Sequence, residues 1–468
     1  MSALWSSAEI EAATLGHTSA PFSATGISID TRTLQPGDLF VALQGDSRDG
    51  HVFVPAAFAA QAAAVMVSSI GDSANDNGAA LVVANTLRGL EDLARASRAR
   101  SHAKILAVTG SAGKTTTKEM LRLACGALGL THASTASYNN HWGVPFSLAA
   151  MPRETEYGVF EIGMNHPGEI RALVSIVKPD VAVITTVAAA HLEFFGSCEA
   201  IADAKSEIFE GVVPGGAAII PADNPYTGRL RARARQANLG NVLLFGTGTG
   251  ADGRICSIDD TPEGMRVEAV ILGRDVHLRL RAHGAHLASN AVAALLTVAV
   301  VNGDVLNAAA ALSDFDSLKG RGARTTLPFG AGTIDVIDEG YNANPASMSA
   351  ALDVLSRVKP GDGGRRIAVL GDMLELGAQA PQLHAGLARD IETAQIDLVC
   401  ACGPQMRNLW DALPVYRRGV FAADSGALAP EVIGILRAGD VVLVKGSFGS
   451  RMERVIEAIR TRAAEGAA

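Results

Sequence analysis

The sequence predicts an α/β protein of three domains: a small N-terminal α/β domain, a central doubly wound domain and a C-terminal Rossmann-like domain. Three observations lead there. At 468 residues the chain exceeds what one hydrophobic core supports. Short apolar runs alternate with helix-period segments along most of its length, as in parallel sheets covered by helices. One of those runs passes through a glycine-rich turn straight into a helix, at 108–117. Apolar residues make up 48% and charged residues 19%, which is a folded, globular composition. The net charge of −8 argues against nucleic acid as the main partner.

Residues 1–103 form the first unit. Pro36-Gly37 reads as a turn, 38–43 as a strand, 55–63 as an alanine-rich helix and 64–67 as a second strand. The charged stretch 95–103 reads as the lead into the next domain. Residues 104–315 form the second unit, with strands at 105–108, 159–162, 181–186, 217–220 and 242–245 and helices between several of them. Short alternating runs at 253–282 suggest hairpins, and helices follow at 285–301 and 305–313. Residues 316–468 form the third unit. Strands at 333–338, 366–370, 397–401 and 440–445 alternate there with helices such as 347–358 and 450–460, ahead of an alanine-rich C-terminus expected to fray.

The segment from Met1 to Trp5 has neither a basic nor an apolar region, so no secretory signal is visible. The longest apolar stretches, such as 291–301, are too short to span a bilayer. Five cysteines (125, 198, 256, 400 and 402) are odd in number and scattered, and Cys400-x-Cys402 reads as buried strand. A cytoplasmic protein without membrane insertion is the expectation.

The chemistry starts at Thr109-Gly110-Ser111-Ala112-Gly113-Lys114-Thr115. After a buried strand and before a helix, this is a phosphate cradle. Its glycines admit backbone N–H groups to the phosphates, and the helix N-terminus favours negative charge. Lys114 can reach the terminal phosphates and the Thr115 hydroxyl can ligate Mg²⁺. Position 108 is Val where the general pattern has a first glycine, so the cradle is a shortened form. Glu161 ends the next strand, where an acid beside a cradle is placed for Mg²⁺. His191 follows the strand 181–186 at the same sheet edge. Lys205 reads on its own as a solvated helix lysine, Asn290 as a helix cap, and Arg321 with Arg324 as either phosphate contacts or a linker. Asp338, at a strand end before Glu339-Gly340-Tyr341-Asn342-Ala343-Asn344-Pro345, suits ribose hydroxyls.

Several separate motifs, in the same order, make the chain resemble the Mur ligases, ATP-dependent amide-forming enzymes of peptidoglycan precursor synthesis. They are the cradle 109–115, Glu161-Ile162-Gly163-Met164-Asn165, Ala190-His191-Leu192-Glu193, Ala204-Lys205-Ser206-Glu207-Ile208-Phe209 and the stretch 286–290. The resemblance covers nearly the whole chain. It implies ATP held by the cradle, Asn290, Arg324 and Asp338. It implies two Mg²⁺ sites drawn from Thr115, Glu161, His191 and Lys205, and a Lys205 carbamylated by CO₂, which turns a cation into an anion able to face metal. Lys114, Glu161, His191 and Lys205 would then be the catalytic set.

Within the family, the loop 341–348, with 371–377 and Lys445-Gly446-Ser447, is similar to the members that add D-alanyl-D-alanine to UDP-N-acetylmuramoyl-tripeptide. Asp30-Thr31-Arg32, with Ser28, and Asp49-Gly50-His51 resemble the uridine-nucleotide domain. Asn139 and Asn140 would meet the middle of that substrate, and Tyr341, Asn342, Asn344 and Lys445 the region of the acceptor. The rival is the diamino-acid-adding ligase, whose third domain carries a D-N-P-R signature. Here Asp223-Asn224-Pro225 is followed by Tyr226 and lies in the second domain. Glu339 stands where an aspartate is usual. A P-loop NTPase switch and an inactive scaffold are the readings from other classes. A monomer is expected.

Overall fold

The computed structural model describes residues 3–45, 48–69, 78–135, 137–261 and 263–467. Met1, Ser2 and Ala468, parts of the terminal segments read above, lie outside them. Three main sheets draw their strands from residues 17–82, 104–280 and 323–445.

In the first domain, four parallel-paired strands run in the order Ala79–Val82, Ala64–Val67, Asp38–Val41, Gly26–Ser28, with His17–Thr18 antiparallel on the outer edge. The expected helix at 55–63 is shorter, Val54–Ala59, entered through a 3₁₀ turn at Gly50–Phe53. The stretch read as a charged lead is the second half of the helix Thr86–Arg100. Its Leu90, Leu93, Ala94 and Ser97 form a buried stripe at helical spacing. The charged Glu91, Asp92 and Arg95 between them hide that stripe from a composition reading. This helix joins the first two domains: Arg98 donates to the carbonyls of Val177 and Lys178. Trp5 adds an indole N–H bond to the Ala149 carbonyl at 3.0 Å.

Among the described residues the central sheet has nine strands. Lys104–Thr109 lies between Tyr157–Glu161 and Val181–Ile184, all parallel. The chain crosses from one side of Lys104–Thr109 to the other at this point, so a crevice opens at the strands' carboxyl ends. Residues 253–282 form three strands, Gly253–Thr261, Gly264–Ile271 and Arg274–Leu280, that extend this sheet as an antiparallel meander. The near-continuous apolar helix Ala285–Val300 packs across the sheet, and its core merges with that of the cradle helix Lys114–Gly126.

The third sheet has six strands among the described residues, five of them parallel. Its antiparallel edge strand, Ala323–Phe329, escaped the sequence reading because its exposed positions are Arg324, Thr326 and Pro328, and a proline within a run argues against a strand. The C-terminal helix continues to Ala467 rather than fraying early. No helix among the described residues is long and apolar enough to cross a membrane.

Candidate active site

Backbone geometry fixes the cradle. Gly110 takes φ +154°, and a Cβ there would sit 1.8 Å from the Thr185 hydroxyl oxygen. Gly113 takes φ +80° under the amide of Asn290, 2.9 Å from where its Cβ would be. The Ser111 hydroxyl donates to the Ala188 carbonyl at 2.9 Å and accepts from the Ala188 N–H. The Thr185 hydroxyl donates to the Ala112 carbonyl. The turn is thus clamped to the neighbouring strand's loop. Thr109 ends the strand, wholly buried.

Lys114 folds back and donates to the Gly110 carbonyl at 2.9 Å. Burial holds its pKa below the usual lysine range; the Glu161 charge opposes this and Arg321 reinforces it. Thr115 donates to one Glu161 oxygen at 2.7 Å, and Asn139 Nδ2 donates to the other at 2.7 Å. Two hard oxygen donors therefore converge beside the cradle. They suit a Mg²⁺ that takes its other ligands from phosphate and water. Among the described residues no group of three His, Cys, Asp or Glu side chains could hold a metal by itself.

A cleft of about 490 Å³ runs from the cradle to the third domain, lined by Lys114, Asn139, Glu161, His191, Asn290, Tyr341, Asn342, Asn344 and Lys445, all singled out from sequence. Asn290 sits well inside its helix, the sixth residue of Ala285–Val300, so it is no cap. Lys205 is 2% exposed in the helix Cys198–Ser206 and is not among the residues that line the cleft. It is therefore not the solvated lysine that its sequence context suggested. Desolvation, with repulsion from Lys114, depresses its pKa strongly, and among the described residues no acceptor or carboxylate pairs with its amine.

Other residues are not brought to the cleft. Asn140 accepts from the Gly143 N–H at the start of the helix Gly143–Ala149. Arg324 pairs with Asp335 at 2.6 Å on the edge strand and faces a neighbouring cavity. Asp338 is buried and accepts from the Gly340 N–H. In their place the cleft receives Arg321 and Glu339. Arg321 lies over the Tyr341 ring, 4.2 Å from its centroid. Glu339 pairs with Lys445, which is 1% exposed, at 3.0 Å. Lys445 also donates to the Asn342 carbonyl, so it braces the 341–344 loop. Adjacent strand residues face opposite sides. That alternation, applied to Asp338 and Glu339, is the signal that separates them.

Asp223 and Asn224, read only as an incomplete signature, also line the cleft, and Asn224 bonds Thr186 and Val187. Ser28, Asp30, Thr31 and Arg32 stand apart in the first domain, at the carboxyl end of Gly26–Ser28. Asp30 and Arg32 pair bidentately there, with Tyr138 of the central domain in electrostatic reach of Arg32. His51 bridges Asp49 and the Ser68 N–H.

Three family models match the chain in register with these sheets: the Mur ligase family catalytic domain at 23–105, the Mur ligase middle domain at 108–298 and the Mur ligase glutamate ligase domain at 324–448. The UDP-N-acetylmuramoyl-tripeptide–D-alanyl-D-alanine ligase of Rickettsia prowazekii is 32% identical over 454 residues, covering 97% of this chain and 99% of that one. The chain belongs to the Mur ligase family. Among solved Mur ligases, MurF from Acinetobacter baumannii superposes with a TM-score of 0.85 at 30% identity, covering 98% of this chain and 99% of that one. MurF from Thermotoga maritima, solved in complex with ADP, gives 0.79 at 26%, covering 94% and 98%. The Mur ligase fold is therefore shared over nearly the whole length.

Proposed function

We propose that this Mur ligase joins D-alanyl-D-alanine to UDP-N-acetylmuramoyl-tripeptide at the expense of ATP, with domains 1–103, 104–315 and 316–468 serving the uridine nucleotide, the ATP and the dipeptide. The observation that carries the reading is the single cleft in which a phosphate cradle faces the Tyr341–Asn344 loop. The names of relatives about a third identical over nearly full length support the same reaction.

A carboxylate is a poor acyl donor, so it is activated first. A carboxylate oxygen of the tripeptide attacks the γ-phosphorus, the bond from that phosphorus to the β-bridging oxygen breaks and ADP leaves. The dipeptide's amine then attacks the carbonyl carbon of the acyl phosphate, phosphate departs and the ammonium proton passes to solvent. The cradle N–H groups and Lys114 stabilise charge as it builds on the phosphates. Arg321, held over Tyr341, adds a second cation from the third domain, and Asn290 and Glu339 orient the nucleotide. Mg²⁺, held by Thr115 and Glu161, supplies further neutralisation of phosphate charge when bound. A bare ammonium at Lys205 would repel a second cation. Burial disfavours that ammonium; a Lys205 amine that attacked CO₂ and lost a proton would become a carbamate, an anion that with His191 would hold a second Mg²⁺.

The test separates acceptors. Enzyme, ATP and Mg²⁺ are given UDP-N-acetylmuramoyl-tripeptide with D-alanyl-D-alanine, and separately the dipeptide precursor with a diamino acid. Product in the first mixture alone is expected; product only in the second would assign the rival ligation.

A further inference from the structure

His191 and Glu375 come from different domains and meet at 2.5 Å, His191 Nδ1 to a Glu375 carboxylate oxygen. Four further observations show that this contact is built rather than incidental. Both residues are non-glycine and sit in the left-handed region, at φ 61° and 62°, a conformation kept only where the surroundings impose it. The Glu193 N–H donates to the Glu375 carbonyl at 3.1 Å, so backbone as well as side chain is docked. Gly377, φ +57°, lies against Glu193, where a Cβ would come within 3.1 Å of its Cα. Finally, the loop that presents Glu375 is pinned within its own domain. The Met373 N–H donates to Nε2 of the wholly buried His384, and the Leu374 N–H donates to the Ser447 hydroxyl.

We infer that Glu375 is a positioning residue for His191, supplied by the third domain to a histidine of the central one. A carboxylate only accepts, so the hydrogen of His191 must sit on Nδ1, and the Nε2 lone pair is left free for the cleft. Carboxylates behind ligating imidazoles fix tautomer and ring orientation in this way. The consequence is specific to this architecture. His191 is correctly set only when the third domain, which brings the acceptor, is docked, so activation of the tripeptide is tied to the acceptor domain's presence. The inference rests on the reading of His191 as part of the reacting site.

The experiment uses full-length protein with ¹⁵N-labelled histidine, free of metal, and the variants Glu375→Ala and Glu375→Asn. Asparagine suits a left-handed backbone but is one methylene too short to reach. The ring signals of His191 are assigned with His191→Ala, and the other histidine signals report an intact fold. In the wild type His191 should be the Nδ1–H tautomer; in both variants it should shift toward Nε2–H. The kcat should fall roughly 10- to 100-fold, with KM for D-alanyl-D-alanine held within about threefold. An unchanged tautomer, or a kcat within about twofold of wild type, overturns the inference while His191→Ala remains inactive. A fully active His191→Ala instead overturns the role of His191 itself, and this inference with it.

Discussion

The Asn344 side-chain amide donates to the Ser111 carbonyl at 3.2 Å, tying the third domain's loop directly to the phosphate cradle 233 residues away in sequence. The same side chain caps its own helix, its Oδ1 accepting from the Ser347 N–H at 3.0 Å. Cap and tether can therefore be separated. Asn344→Asp keeps the cap and loses the donor, so stability should hold while kcat/KM for ATP falls. Asn344→Ala should lose both, at about 1 kcal/mol of stability. Thermal melts with steady-state kinetics check this, and full activity in Asn344→Asp would sink the tether's role.

Lys114→Ala should abolish amide formation with the fold intact. Lys114 contributes its amine to the cradle rather than apolar packing to the core, so its loss removes phosphate stabilisation worth several kcal/mol, roughly a thousandfold in rate. Phosphate release in the presence of both peptide substrates is the measurement; near wild-type turnover would contradict the cradle assignment.

Lys205→Ala should be nearly inactive and Lys205→Arg no better, since a guanidinium keeps the positive charge and cannot be carbamylated. A small carboxylic acid added to Lys205→Ala should restore part of the turnover by supplying the missing anion. Nearly full activity in Lys205→Arg would rule out the carbamate.

The seam between the first two domains should be acid-sensitive. Glu9 bonds Ser6 and pairs with Arg153 of the central domain, and these contacts outweigh desolvation to hold its pKa at about 2 against an ordinary 4.5. A depressed carboxylate stabilises fully above its unfolded pKa and loses that contribution as pH falls toward the folded one. The destabilisation caused by Glu9→Gln, read by melting, should be present at pH 7 and shrink between about pH 4.5 and 2. A difference independent of pH would refute the ionic account.

Much of this site was legible in the sequence because its signals are local. The strand, glycines and Gly113-Lys114-Thr115 occupy one short segment, and Glu161 follows a continuous apolar run. What was not legible depends on which way a side chain points once sheets are paired. Arg321 and Arg324 are three residues apart, yet one stacks on Tyr341 in the cleft and the other is held on an edge strand by Asp335. Glu339 read as a departure from pattern, but it faces the cleft while Asp338 turns inward. The burial of Lys205 and the reach of Glu375 to His191 come from packing between elements far apart in the chain. No spacing rule records such contacts.

The most direct test follows oxygen. Tripeptide precursor labelled with ¹⁸O in its terminal carboxylate is incubated with enzyme, ATP, Mg²⁺ and D-alanyl-D-alanine, and the products are weighed by mass spectrometry. The account requires pentapeptide, ADP and phosphate in equal amounts, with one ¹⁸O carried into each phosphate through the acyl phosphate. Unlabelled phosphate released from ATP without pentapeptide would contradict it and leave a nucleotide hydrolase in its place.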